Sequence, residues 1–170
     1  MRPIYENQVI EACKLFRDSV RDWALELEHG FNILLSGHGS KKCLLDLLMD
    51  DWLQHYPIIE LKGYVSDVSV SECLAMILER VIGMKKAQNL HLCKLALQIT
   101  KKLSQKKKFV FVVHSMDALP LRNDETQEAL SILASSQFVL MIASVDQKGF
   151  RLRTLVSNPQ AHSCSLGQVH

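Results

Sequence analysis

Between Phe31 and Leu48 the chain reads FNILLSGHGSKKCLLDLL, an apolar run that passes through two glycines and two lysines into a leucine-rich segment. Residues of these types in this order belong to phosphate chemistry. A loop written G-x-x-x-x-G-K-[ST] between a strand and a helix curls backbone N–H groups around phosphate oxygens, while its lysine reaches the terminal phosphates and its hydroxyl holds Mg²⁺. Gly37, Gly39, Ser40, Lys41 and Lys42 stand where such a loop would stand. The motif is incomplete in either register. With Lys42 as the lysine, Lys41 takes the place of the glycine and Cys43 that of the hydroxyl; with Lys41, Ser40 replaces the glycine and Lys42 the hydroxyl. A thiol suits Mg²⁺ poorly, because that ion prefers hard oxygen donors in an octahedron. Tight binding of Mg-ATP is not expected, and an active P-loop NTPase with an aberrant loop is the alternative to a silent one. The two lysines at a helix start could still meet an anion, since unsatisfied N–H groups and the helix dipole favour negative charge there.

Hydrolysis also needs an acidic residue at the end of a neighbouring strand, to orient the metal and the attacking water. The strand suited to carry it is FVFVVHSMDAL, 109–119, where His114 and Ser115 stand in place of an Asp-Glu pair. Asp117 follows, and is expected to cap the next turn rather than reach the site. A Ser-His-Asp hydrolase could be assembled from Ser36 or Ser40 with His114 and Asp117, but no G-x-S-x-G elbow accompanies it. A satisfied strand-end histidine is the ordinary role for His114. His162 and Cys164 supply two metal ligands, too few for a zinc site; no metal or cofactor is expected.

These residues need elements to position them. Val9, Ala12, Cys13, Phe16, Val20, Trp23 and Leu27 fall at steps of three and four, predicting an amphipathic helix over 5–28 that packs on the sheet edge. Short apolar runs at 31–35, 57–61, 109–113 and 138–143 predict strands covered on both faces. Helices are expected near 42–53, 70–82, 88–104 and 124–134, the second opened by the capping box of Ser69 and Glu72 and closed by Gly83. Strands alternating with helices long enough to cross over give right-handed βαβ units, hence an α/β, three-layer, doubly wound parallel sheet whose ligands bind at the carboxyl ends of the strands. Three regions follow: an N-terminal helix packing on the core over 1–30, the α/β domain over 31–147, and an irregular tail over 148–170.

The bulk numbers set limits. With 170 residues, 48% of them hydrophobic, the chain can bury one real core. Twenty basic against 18 acidic residues give a net charge of +2, so no overall field demands a nucleic acid or a membrane. No apolar run approaches a membrane span, and five cysteines without a CxxC pair read as reduced intracellular thiols. Local charge is another matter. Lys101, Lys102, Lys106, Lys107 and Lys108 crowd eight residues, and Lys148, Arg151 and Arg153 form a second cluster. Such a run is usually a solvated helix end suited to the dipole; alternatively it meets the DNA backbone.

LELEHGFNILLSGHGSKKCLLDLL, FVFVVHSMDALPLRNDETQEALSIL and FVLMIASVD together resemble the central domain of subunit 2 of the eukaryotic origin recognition complex, over roughly residues 10–147. The resemblance implies an AAA+/P-loop NTPase-like fold without ATPase function, a scaffold in a hetero-oligomer of origin recognition complex subunits. It implies double-stranded DNA reached through that assembly, replication initiation at origins as the process, the nucleus as location, and no membrane. The family's degenerate phosphate loop falls on Gly37, Gly39, Ser40, Lys41 and Lys42, its degenerate acidic motif on His114 and Asp117, and its sensor-like strand end on Ser144 and Asp146. A lid and a winged-helix domain, usual in the family, have no counterpart here, so the chain resembles a truncated form.

Overall fold

The computed structural model describes residues 16–37, 41–84, 91–104 and 107–146, and the backbone of 161–165. Five parallel strands form one sheet in the order β2-β3-β4-β1-β5: β1 is Asn32–Ser36, β2 Ile58–Lys62, β3 Phe109–His114, β4 Val139–Val145 and β5 Ala161–Ser165. Helix α1, Arg17–Glu28, precedes β1, and α2, Lys42–Asp51, carries the chain from β1 to β2. Helix α3, Val70–Ile77, runs into a π-turn at Leu78–Ile82; α4, Leu92–Lys102, then leads to β3, and α5, Asp124–Ala134, joins β3 to β4. The α/β three-layer parallel sheet expected from the alternation is the observed one.

Side-chain alternation along the strands builds two cores. Phe109, Phe111 and Val113 point to the layer of α3, α4 and α5, where they meet Leu74, Ile77, Leu95, Ile99, Leu130 and Leu133. Val110 and Val112 point the other way, into a cluster with Val20, Trp23 and Leu27 of α1 and Leu44, Leu45 and Leu48 of α2. The handedness rule explains the division. The chain steps from β1 out to β2 over one face and returns through β3 to β4 over the other, and reversing direction while keeping right-handed crossovers puts the helices on opposite faces. Helix α1 packs against α2, β1 and β4, over the sheet face rather than at its edge.

Local signals explain most boundaries. Ser69 Oγ accepts from the backbone N–H of Glu72 at 3.2 Å, as the capping box requires, and contributes about 1 kcal/mol. Asn123 does the same for α5, accepting from Thr126 N at 2.8 Å. Gly83, at φ +78, ends the α3 segment in the left-handed region. Three expectations need correction. The tail over 148–170 is not wholly irregular, since β5 pairs in parallel with β1 from Asn32↔Ala161 to Ser36↔Ser165. The helix over 70–82 is α-helical only to Ile77. The five cysteines are not all reduced, because Cys43 is disulfide-bonded. Helical residues expected at 5–15 also lie outside the described part.

Cys73 and Cys93 are free thiols. Burial pushes the Cys73 thiol up to about 12, so at pH 8 it stays protonated and lacks the thiolate that reacts. Native protein treated with iodoacetamide at pH 8 is therefore expected to leave Cys73 unmodified, with labelling in guanidinium as the positive control; peptide mass mapping reads the outcome.

Candidate functional site

Four strand ends converge on one cleft of about 590 Å³ at the carboxyl edge of the sheet. Beyond strand β1 come Lys41 and Lys42; β2 delivers Glu60 and Lys62; β3 delivers His114; β4 delivers Ser144 and, just past its end, Asp146. This is where a doubly wound sheet places its ligands.

Lys41 is the residue before α2 and is buried, its Nζ 2.6 Å from Asp146 Oδ1; its side chain is 3% exposed and that of Asp146 64%. Lys42 is the first residue of α2 and points outward, pairing with Asp46 one turn on at 2.7 Å. The hydrogen bond that Lys42 donates to Asp46, reinforced by the carboxylate's charge, raises the Lys42 ammonium above its ordinary value. Only one of the two lysines thus faces the interior. Gly39 and Ser40 lie outside the described residues, as does Lys106.

The end of β3 is tied to both neighbours. His114 Nε2 lies 3.0 Å from Glu60 Oε2, and the ring of Tyr64 meets the imidazole edge-on at 6.1 Å between centroids. Ser115 turns through φ +47, a conformation held because its N–H donates to Ser144 Oγ at 3.0 Å while Met116 N donates to the Ser144 carbonyl at 2.8 Å. Asp117 does not serve the following turn alone, as its position suggested. Its buried carboxylate accepts from the backbone N–H of Asp146 at 3.2 Å, fixing where β4 ends, and Arg122 Nε donates to its carbonyl oxygen.

Among the described residues the serine triad is not assembled from Ser36. Ser36 sits on β1, which β4 separates from β3, so two strand spacings, roughly 9–10 Å, divide Ser36 from the strand of His114. The imidazole instead faces Glu60. Sequence reasoning missed Glu60, Lys62 and Tyr64; the one available signal was the polar interruption in PIIELKGY, which puts Glu60 and Lys62 on the same side of an otherwise apolar strand.

The lysine run sits elsewhere. Lys101 and Lys102 end α4, and Lys107 and Lys108 precede β3, so these side chains lie toward the amino end of that strand while the cleft lies at its carboxyl end. Lys107 Nζ donates to the Ile82 carbonyl at 2.9 Å, capping the preceding helical segment.

A parallel, doubly wound sheet with helices on both faces and a cleft at the carboxyl ends of its strands defines a three-layer α/β domain. Within that class the chain belongs to the family described as the origin recognition complex subunit 2 RecA-like domain, whose model matches residues 9–164. It is 27% identical over 145 residues to origin recognition complex subunit 2 of Homo sapiens, covering 85% of this chain and 25% of that protein. To the Mus musculus protein of the same name it is 34% identical over 125 residues, covering 73% and 22%. A chain in the structure of Drosophila ORC bound to AT-rich DNA and Cdc6 superimposes with a TM-score of 0.83 at 22% identity, covering 94% of this chain and 57% of that one. This chain therefore spans about a quarter of the length of its human relative.

Proposed function

We propose that this chain is a non-catalytic, scaffolding subunit of an origin recognition complex, acting in replication-origin binding and replication initiation in the nucleus. Its partners on this reading are the other subunits of the complex, with double-stranded DNA reached through the assembly. The observation that carries the non-catalytic part is the pairing of Lys41 with Asp146. The lysine that would meet a terminal phosphate is neutralised by the chain's own carboxylate. His114, bonded to Glu60, stands where a hydrolytic acid is needed, and with Lys41 as the lysine the hydroxyl position holds Lys42, whose ammonium offers Mg²⁺ no oxygen ligand. Membership of the subunit 2 family supports the assembly role. Lys101, Lys102, Lys106, Lys107 and Lys108 are the proposed DNA-backbone contacts, the described four lying apart from the cleft.

Incubating the chain with Mg-ATP and following phosphate release tests the first part: no release above a buffer control is expected, and turnover would overturn it. Affinity purification of the tagged chain from nuclear extract tests the second. Recovery of other origin recognition complex subunits is expected, and their absence counts against it.

A further inference from the structure

We propose that the cleft is a latent polyphosphate site kept filled by the chain's own carboxylate, Asp146; the inference rests on the non-catalytic reading above and adds what occupies the loop's cation. The geometry has the asymmetry of a lodged ligand. Lys41 lies deep in the wall with 3% of its side chain exposed, and Asp146 reaches it from the solvent side with 64% exposed. A phosphate oxygen would approach the same ammonium from the same side, at a comparable charge-assisted distance of about 2.7–2.9 Å. Carboxylate and phosphate are thus mutually exclusive at Nζ.

The carboxylate is placed there by the fold. Asp117 accepts the backbone N–H of Asp146 at 3.2 Å, so the side chain leaves β4 at a fixed point beside Lys41. Space is not the obstacle to a ligand, since about 590 Å³ lies within the range of small-molecule pockets. Charge is. Lys41, Lys42 and Lys62 line the cleft against Asp46, Glu60 and Asp146, so its lysines and carboxylates balance. Without the Asp146 charge the cleft gains one net positive charge and Lys41 loses the carboxylate it is buried against. An anion binds in proportion to the fraction of molecules with Lys41 released, and the ion pair keeps that fraction small.

The test is a calorimetric titration of the 170-residue chain and its Asp146→Asn variant with tripolyphosphate, without Mg²⁺ and at low salt. Asp146→Asn is expected to bind at least about tenfold more tightly than the unsubstituted chain, and adding Lys41→Met is expected to remove the gain. ATP should match tripolyphosphate in the single variant, since the phosphate chain supplies the contacts, whether free or carried by a nucleotide. Equal affinities of Asp146→Asn and the unsubstituted chain overturn the proposal; so does a gain that survives Lys41→Met, or one confined to the nucleotide. Asp146→Ser, which also lacks the charge, replaces Asp146→Asn if circular dichroism finds the latter unfolded. Failure here is distinguishable from failure of the non-catalytic reading, which turnover of Mg-ATP by the unsubstituted chain would sink on its own.

Discussion

Gly63→Val is expected to lower the thermal midpoint by about 5–10 °C, followed by far-UV circular dichroism. The reason is space and not backbone conformation. A Cβ at this position would lie 2.6 Å from the Ser115 carbonyl oxygen, 2.7 Å from that of His114 and 2.6 Å from Leu121 Cδ1, all inside contact distance. Leu121 can rotate away; the two carbonyls cannot. Gly63 N donates to the His114 oxygen at 2.9 Å, and the next two residues of that turn are held to Ser144 through the N–H groups of Ser115 and Met116. Any shift that admits a side chain must therefore pull the β3 exit off β4. Overpacking of this kind costs about 1–3 kcal/mol or more, and each kcal/mol moves the midpoint of a chain this size by about 2–4 °C. Gly30→Ala is the control, because nothing lies within 4 Å of its added Cβ and only its φ of +89 resists. A Gly63→Val midpoint no lower than that of Gly30→Ala would refute the close approach.

The same turn marks the boundary between what the sequence made legible and what it did not. Phe109 to Val113 announced a strand buried on both faces, and every residue of β3 is buried. Asp124 to Ala134 was bounded correctly at both ends, since its acidic first turn and apolar stripe are local signals. Glu60 was invisible as the partner of His114, because the two are 54 residues apart and meet only through the pairing of β2 with β3. Asp117 misled for the same reason: nearness along the chain suggested a turn cap, while its carboxylate reaches an N–H 29 residues on. Strand β5 escaped notice because it is an edge strand, paired on one side only, and backbone pairing leaves no side-chain period in a stretch reading AHSCS. The loop's residues were identified, but not their division of labour. Nothing in the order Lys41-Lys42 tells which ammonium turns inward, and the start of α2 decides it by sending Lys42 out toward Asp46.

Phe111→Ala is expected to produce the larger loss, about 3–5 kcal/mol, or roughly 6–20 °C in the thermal midpoint. Phe111 is fully buried, stands opposite Ile59 on β2 and Met141 on β4, and packs beneath α3, α4 and α5. Its ring and that of Phe109 lie 6.3 Å apart at 54°, a tilted pair that adds about 0.5–1.5 kcal/mol beyond the area it buries. Strand neighbours fix both flanks of β3, so the backbone cannot collapse into the void and most of the cavity cost remains. Val112→Ala, one residue along, opens a smaller hole in the opposite core beside Leu140 and Ile142, so its midpoint should fall less. Denaturant unfolding separates the two faces further. If the layers unfold together, both variants lower the denaturant midpoint with an unchanged slope, as a single cooperative unit requires. A Phe111→Ala midpoint equal to that of the unsubstituted chain would mean that the ring is not enclosed, and the three-layer packing that brings His114 to the cleft would fail with it.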